Sequence, residues 1–209
     1  MQRRRPFTRT FIGAITIAAA LGSVAFVHVG KTAVSDTSRP DSATAAADPY
    51  LHLVADLSQR ILVIRDSGKV VRQYQIAVGQ SKYPTPRGEF FVRRVVWNPS
   101  WTPPPDAKWA EHETPKEPGH PANPMKLVKI FFKEPDYYIH GTDQYESLGT
   151  AASHGCLRMD PYDAADVAKY LMDHGGQPRG ESWFWRVIHM GREEKEIYLK
   201  RPIPFIIRG

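Results

Sequence analysis

Apolar residues from position 50 onward fall in short runs separated by turn residues, a pattern that predicts β-strands. These runs cover 61–64, 70–78, 88–97, 127–132 and 137–139. Asp66-Ser67-Gly68-Lys69 separates the first two runs and predicts a hairpin turn. Two later runs, 196–201 and 203–207, predict closing strands, and Pro202 between them and Pro204 in the second place these strands at a sheet edge, because proline cannot donate to a β-ladder.

One segment has the spacing of an amphipathic helix. Asp160 is a suitable N-cap, Pro161 suits the first turn, and Gly175-Gly176 predicts the end. The apolar face of this helix comprises Ala164, Val167, Ala168 and Leu171. A second, shorter helix is predicted over 182–190 from its i, i+3, i+4 apolar spacing. The pattern as a whole predicts a mainly β domain with one or two packed helices.

Between Trp97 and Met125 the periodicity stops. Eight prolines exclude regular structure there: Pro99, Pro103, Pro104, Pro105, Pro115, Pro118, Pro121 and Pro124. Trp101 and Trp109 are interleaved with them. A long irregular segment inside a compact domain is usually functional, so we expect a lid or a binding wall. The alternative is a surface loop that is merely stiffened by proline.

The N-terminus predicts export. A basic start that includes Arg3-Arg4-Arg5 precedes an apolar stretch over 11–30, which fits a signal peptide or an uncleaved membrane anchor better than a buried core helix. Positive charge before the stretch places the following chain outside the cytoplasm. Residues 31–49, rich in Ala, Ser, Thr and Asp, predict a flexible linker. We therefore expect three parts: 1–30, the linker 31–49, and a domain over 50–209.

Composition fits a globular domain, with 42% hydrophobic residues among 209. The net charge of +6 is divided equally, since six basic and three acidic residues lie within 1–48 and leave +3 for the remainder. That remainder has no concentrated basic stripe, which argues against nucleic-acid binding.

Cys156 is the only cysteine in the chain. It therefore has no internal disulfide partner, and it lacks the neighbouring Cys or paired His of a metal site. The alternatives are an inert buried thiol and a nucleophile. An unpaired cysteine in an exported protein favours the reactive alternative.

A thiol needs a base or a thiolate-stabilising neighbour at neutral pH, and histidine suits that task. His140 follows the strand 137–139 and can meet Cys156 if the intervening residues return to the same end of the sheet. His154 is the rival base, and we assign it instead to shaping the loop by hydrogen bonds. Backbone amides around His154-Gly155-Cys156 are candidate donors to an oxyanion. Arg158 is a candidate clamp for a substrate carboxylate, or alternatively an ion-pair partner of an aspartate at 160 or 163.

Several motifs together resemble one known family. His140-Gly141-Thr142 followed by Ser153-His154-Gly155-Cys156-Leu157-Arg158-Met159 is similar to the signature of the YkuD-like L,D-transpeptidase catalytic domains. Three upstream segments, at 83–90, 98–104 and 122–125, also resemble family motifs in the expected order. The resemblance covers about 50–175, and it implies a curved sheet or sandwich-like β fold with a helix beside the cysteine.

The resemblance also implies the reaction. Cys156 would attack the peptidoglycan stem peptide at the bond before its terminal D-amino acid, and an amine of a second stem would resolve the thioester. His140 would be the general base, oriented by the backbone carbonyl of Gly141, with no metal or organic cofactor. Arg158 stands where many members of the family have Asn, which leaves the choice of acceptor open. We count three further residues as candidate substrate-binding residues: Ser153, Trp101 and Tyr138.

Alternatives with the same site are an L,D-carboxypeptidase, in which water resolves the thioester, and an enzyme that attaches proteins to peptidoglycan or detaches them. A non-catalytic wall-binding module with an inert Cys156 is a further alternative. In each case we expect the domain to work in the periplasm or cell envelope, with residues 11–30 as a possible anchor.

Overall fold

The computed structural model describes residues 50–209, and the predicted export segment 1–30 and linker 31–49 lie outside the described residues. Short 3₁₀ turns occur at Lys108–Ala110 and Tyr145–Ser147. The strands and helices of the described part, in chain order, are β1 His52–Asp56, β2 Ile61–Asp66, β3 Lys69–Gln75, β4 Val78–Gly79, β5 Gly88–Trp97, β6 Val128–Lys133, β7 Tyr137–Gly141, β8 Ala151–Ser153, β9 Leu157–Met159, α1 Pro161–His174, α2 Glu181–His189 and β10 Lys195–Arg208.

Eight of these strands form a curved sheet in the order β3-β2-β1-β10-β5-β6-β7-β9, which confirms the mainly β prediction. The hairpin between β2 and β3 forms as predicted, and its turn places Ser67 at φ 50° and Gly68 at φ 76°, the positive angles of a two-residue hairpin loop. Just after β3, Ala77 and Arg158 exchange backbone hydrogen bonds of 2.9 and 3.0 Å. This bridge joins the two edges of the sheet, so the sheet is nearly closed. β4 and β8 pair separately beside it.

The prediction of two closing edge strands was wrong. A single 14-residue strand, β10, lies in the middle of the sheet between β1 and β5. Pro202 falls within the register shift between Tyr198 and Ile203, and Pro204 precedes Phe205, the first residue paired with β1. Pro202 therefore lies where the ladder with β5 is interrupted, and Pro204, although it pairs with Phe91 of β5, lies before the ladder with β1 begins, which is how a central strand accommodates them.

Both predicted helices are confirmed. The Asp160 carboxylate accepts hydrogen bonds from the amides of Tyr162 and Asp163, and α1 then runs from Pro161 to a C-cap at Gly175. The apolar face of α1 is buried on the sheet, where α1 contacts β7, β6 and β10. In the second helix, Phe184 and Val187 are buried and Phe184 packs against Trp97.

The proline-rich segment between β5 and β6 is irregular apart from one 3₁₀ turn, as predicted. Asn123 organises it from inside. Its Nδ2 donates to the carbonyl oxygens of Pro99 and Glu117 at 2.8 and 3.2 Å, and its Oδ1 accepts from the Met125 amide at 2.9 Å. Because the Asn123 side chain is buried, these bonds fix the two ends of the segment against each other.

Candidate active site

The parallel pairing of β7 with β9 assembles the site. Its register places Ile139 opposite Leu157 and His140 opposite Arg158. Side chains two apart on a strand share a face, so Tyr138 and His140 lie on one face with Cys156 and Arg158 beside them. The sixteen residues that follow His140, up to Cys156, therefore bring the chain back to the same end of the sheet. This return is the condition that the sequence analysis set for His140 and Cys156 to share a site.

A cleft of about 920 Å³ opens over these residues. One wall is the proline-rich segment, which contributes Trp101 and Trp109, and another is the stretch that contains Tyr83. The predicted site residues that line the cleft are Trp101, Tyr138, His140, Ser153, His154, Cys156 and Arg158. The structure thus brings together the side chains that sequence reasoning selected from three separate segments.

His140 is held by its neighbour. The carbonyl oxygen of Gly141 lies 2.7 Å from Nδ1, and because a carbonyl only accepts, Nδ1 carries the proton and Nε2 holds the lone pair of the neutral ring. Burial, with the nearby positive charge of Arg158, lowers the pKa of His140 to about 4. The imidazole is therefore neutral at pH 7 and able to accept a proton.

Gly141 lets the helix approach the strand. A Cβ at this position would lie 2.9 Å from the Cα of Pro161, the first residue of α1. A side chain here would force β7 and the start of α1 apart, and it would displace Gly141 itself, whose carbonyl holds the imidazole of His140.

The Cys156 thiol is protonated at neutral pH. Burial raises its pKa to about 11, although hydrogen bonds from Tyr138 and the charges of Lys129 and Arg158 oppose the shift. Sγ donates to the carbonyl oxygen of Asp136 at 3.3 Å. The thiol is therefore directed at a backbone oxygen rather than at His140, and it must turn from that oxygen to pass its proton to the imidazole.

The segment that leads to Cys156 is tightened by one hydroxyl. Ser153 Oγ accepts from the Gly155 amide at 3.1 Å and donates to the Cys156 carbonyl at 2.5 Å. Gly155 has a φ of 112°, and a Cβ there would lie 2.9 Å from Cε1 of Tyr137, so only glycine fits. The Ser153 hydroxyl is thus engaged in two hydrogen bonds within the loop.

Among residues 50–209, the side chain of His154 is held by aromatic rings and makes none of the hydrogen bonds we expected. Its imidazole stacks on Trp109, with the ring centroids 4.0 Å apart and the planes 8° from parallel. Tyr83 packs edge-on against the same ring at 4.9 Å. Burial, together with Arg158 and Lys82, lowers the pKa of His154. His154 therefore links the cysteine loop to both walls of the cleft.

Arg158 makes neither of the ion pairs considered for it. Its Nη1 donates to Oε1 of Gln144 at 2.8 Å, and no salt bridge of Arg158 occurs within residues 50–209. Asp160 is occupied in capping α1. The guanidinium lines the cleft with one neutral partner, which keeps it available to a carboxylate.

Trp101 and Tyr138 differ in their surroundings. Trp101 is buried, and its backbone exchanges two 2.8 Å hydrogen bonds with Lys116 across the proline-rich segment. The Tyr138 ring lies between Phe131 and His140, with centroid separations of 5.1 and 5.7 Å. Burial, with the neighbouring Cys156, raises the pKa of Tyr138, so its hydroxyl remains a hydrogen-bond donor.

Sequence reasoning missed several residues of the site, notably Trp109, Asp136, Gln144 and Lys129. Trp109 was noticed only as part of a proline-rich stretch. Lys129 lies opposite His140 on β6, but a lysine on a strand gives no functional signal until the register between β6 and β7 is known.

Within residues 50–209 no group of three His, Cys, Asp or Glu side chains could hold a metal ion. The same part of the chain has no helix that is both long and apolar enough to span a membrane.

Fold and site together define a β domain in which a histidine at the end of one strand and a cysteine just before the neighbouring strand line one cleft, an arrangement suited to acyl transfer. The chain matches the family described as YkuD, L,D-transpeptidase catalytic domain, over residues 51–188. This protein belongs to that family, which confirms the resemblance seen in the motifs.

Sequence identity to the individual relatives is low. The chain is 28% identical over 157 residues to the "Putative L,D-transpeptidase YkuD" of Bacillus subtilis, covering 75% of this chain and 82% of that protein. It is 36% identical over 117 residues to the "Putative L,D-transpeptidase YqjB" of the same organism, covering 54% of this chain and 60% of that one. An L,D-transpeptidase structure from Mycobacterium smegmatis gives a TM-score of 0.49 at 18% identity, over 76% of this chain and 58% of that chain. The chain thus spans less than two thirds of the last two proteins.

Proposed function

We propose that this protein is an L,D-transpeptidase that joins peptidoglycan stem peptides through a thioester on Cys156. The observation that carries the proposal is the register of β7 with β9, which sets His140 opposite Arg158 and so brings Cys156, two residues earlier, into the cleft that His140 also lines. Family membership supports the reaction class. A wall-binding module would need neither a positioned thiol nor a histidine whose Nδ1 is fixed by a backbone carbonyl.

In the first half-reaction, Cys156 Sγ attacks the carbonyl carbon that precedes the terminal D-amino acid of a donor stem. The thiol proton passes to Nε2 of His140, and the amide collapses with loss of the D-amino acid, whose amine takes that proton from His140. The Gly155 amide is already donated to Ser153, so we assign the developing oxyanion to the amide of Cys156 itself.

In the second half-reaction, the amine of an acceptor stem attacks the thioester carbon. His140 accepts a proton from this amine, the carbon–sulfur bond breaks, and the thiolate of Cys156 recovers the proton. The product is a new amide between two stems. With water in place of the amine, the same steps give an L,D-carboxypeptidase, and with a protein amine they give attachment of that protein to the wall.

For substrate binding we propose that Arg158 holds a carboxylate of the stem, because its guanidinium faces the cleft with Gln144 as its only hydrogen-bond partner among the described residues. Trp101 and Tyr138 supply apolar surface to the same cleft. We assign Ser153 to holding the cysteine loop, with Gly155. Because stem peptides lie outside the cytoplasm, we further propose that residues 1–30 direct export, that 31–49 are a linker and that 50–209 are the catalytic domain.

The test is incubation of the full-length chain with purified disaccharide-tetrapeptides, followed by mass spectrometry of the products. A transpeptidase releases the terminal D-amino acid and forms dimers, whereas a carboxypeptidase forms tripeptides alone. Cys156→Ala should abolish both products and leave the thermal denaturation midpoint within about 3 °C of the unmodified chain, since one small side chain is changed. Product release that persists in Cys156→Ala would falsify the assignment.

A covalent readout complements the product assay. A carbapenem should add to the unmodified chain with a mass increase located on Cys156, and His140→Asn should slow this addition by at least about a hundredfold, as loss of a general base does. If no stem product forms and the thiol is alkylated only slowly, the wall-binding alternative is the better description.

A further inference from the structure

Lys129 lies behind the site. It stands directly opposite His140 in the β6–β7 pairing, and its side chain is largely buried. Nζ donates to the carbonyl oxygen of Ser100 at 2.8 Å and lies 5.1 Å from the ring centroid of Tyr138. The described residues that line the cleft include Tyr138 and His140 but not Lys129, so its charge reaches the site through these neighbours and not through the substrate.

A buried ammonium normally has a carboxylate partner. Lys129 makes no salt bridge within residues 50–209, and its link to a carboxylate is indirect, since the amide and hydroxyl of Ser100 both donate to Glu194. Burial lowers the pKa of Lys129, whereas Glu194 and a Cys156 thiolate raise it. The titratable and charged groups that face Lys129 from surrounding elements are Arg94 of β5, Tyr138 and His140 of β7, Cys156, Arg158 of β9 and Glu194. Of these, Arg94 is already paired with two glutamates.

We propose that Lys129 is a positioning residue whose buried positive charge sets the pH range in which Cys156 and His140 work as a pair. The proposal rests on the proposed role of Cys156 as nucleophile. Three observations carry it: the cross-strand contact with His140, the ammonium held by Ser100 over the Tyr138 ring, and the lack of a direct carboxylate partner among the described residues.

The sign of the effect follows from the charge. A fixed positive charge favours the thiolate and disfavours the imidazolium, so Lys129 lowers the pKa of Cys156 and also that of His140. Because the pKa values of Cys156 and His140 both fall, the charge shifts the pH range in which the pair works toward lower pH. It does not widen the gap between the two pKa values. Arg158 acts in the same direction, but it lines the cleft and is available to a substrate.

The experiment is the rate of Cys156 alkylation by iodoacetamide in the full-length chain, measured from pH 5 to pH 10. In Lys129→Met the pKa of the Cys156 thiol should rise by about 1, so the rate should fall about tenfold at every pH below that pKa, pH 7 included. Lys129→Arg retains the charge and should recover most of the rate. An unchanged profile in Lys129→Met, or an equal loss in Lys129→Arg, would overturn the proposal.

Lys133→Met is the matched control. Lys133 lies on the same strand with its ammonium 5.2 Å from the ring centroid of Tyr137, but it is exposed and faces neither Cys156 nor His140. Its alkylation profile should match that of the unmodified chain. A shift in Lys133→Met as large as that in Lys129→Met would show a general charge effect and would count against a specific role of Lys129.

A second measurement applies even if Lys129→Met does not fold. By reciprocity, a thiolate at Cys156 must raise the pKa of Lys129. Carbon-13 NMR of the Lys129 side chain should therefore show a titration at lower pH in Cys156→Ala than in the unmodified chain, and equal titrations would refute the coupling. Alkylation and NMR need no stem peptide. An absent product with a shifted alkylation profile would therefore reject the proposed function alone.

Discussion

Ser153→Ala tests whether one buried hydroxyl positions the nucleophile. Ser153 is 1% exposed, and its Oγ makes two hydrogen bonds, one from the Gly155 amide and one to the Cys156 carbonyl. The substitution leaves both backbone groups without this partner. A typical intramolecular hydrogen bond contributes about 1 kcal/mol net, and an unsatisfied buried group costs about 1–3 kcal/mol. We therefore expect the free energy of unfolding to fall by about 2 kcal/mol.

Ser147→Ala is the matched control. Ser147 is 7% exposed, and its hydroxyl donates to the Gln144 carbonyl at 2.6 Å in a loop that does not hold Cys156. It should lose about 1 kcal/mol for one hydrogen bond. Urea denaturation gives both stabilities, and carbapenem acylation gives the reactivity of the thiol. Acylation should slow at least about tenfold in Ser153→Ala, because small displacements of a nucleophile are costly, and should be unchanged in Ser147→Ala.

The positioning role of Ser153 is refuted by one combination of results. If Ser153→Ala were no less stable than Ser147→Ala and reacted at the rate of the unmodified chain, the two hydrogen bonds would not position Cys156. Equal stability losses with a selective loss of acylation would instead show that Ser153 acts on the geometry of the loop more than on the folded state.

Three further outcomes are expected. Between pH 4 and 6.5 the unfolded chain binds a proton on His140 that the folded chain does not, so the free energy of unfolding should rise with pH there, by about 3 kcal/mol at most; urea titrations of His140→Asn should lose this slope. Gly155→Ala should lower stability by about 1–3 kcal/mol and abolish acylation, since its Cβ meets the Tyr137 ring at positive φ, and a stable, active variant would contradict the geometry. Trp109→Ala should raise the KM for stem peptides several-fold with a stability change under about 1 kcal/mol, whereas Trp185→Ala, which is also exposed but lies on α2, should leave KM unchanged.

Much of the fold could be predicted because its signals are local. The hairpin at Ser67-Gly68 needs only two residues with positive φ, and α1 needs only a capping aspartate, a following proline and four apolar residues at helical spacing. The place of β10 could not be predicted in this way. Whether a proline-containing strand lies at an edge or in the centre depends on which neighbours pair with it, and those partners, β1 and β5, are distant in the chain, since even the nearest pair joins Lys195 to Trp97.

The candidate site, too, has features with a local sequence signal and features that depend on contacts between distant segments. The motif around Cys156 identified the nucleophile candidate, and the return of the chain to β7 explains why Cys156 and His140 line the same cleft. The stacking of His154 on Trp109 joins two irregular segments, and no periodicity predicts the meeting of two such loops. The rings replace the hydrogen bonds expected for His154 because its surroundings are largely aromatic, and only the folded chain shows those surroundings.

Cys156 and His140 are both uncharged at rest, although the charges of Arg158 and Lys129 act on them. With the pKa of His140 near 4 and that of Cys156 near 11, thiol and imidazole both keep their uncharged forms at pH 7, so the proton must move during the attack and not before it. The charge of Arg158 is one cause of the low pKa of His140. If a stem carboxylate binds Arg158, as proposed, it offsets that charge and raises the pKa of His140 when the substrate is in place. Binding would then strengthen the base, while the charge of Lys129, held out of reach of the substrate, would continue to favour the thiolate.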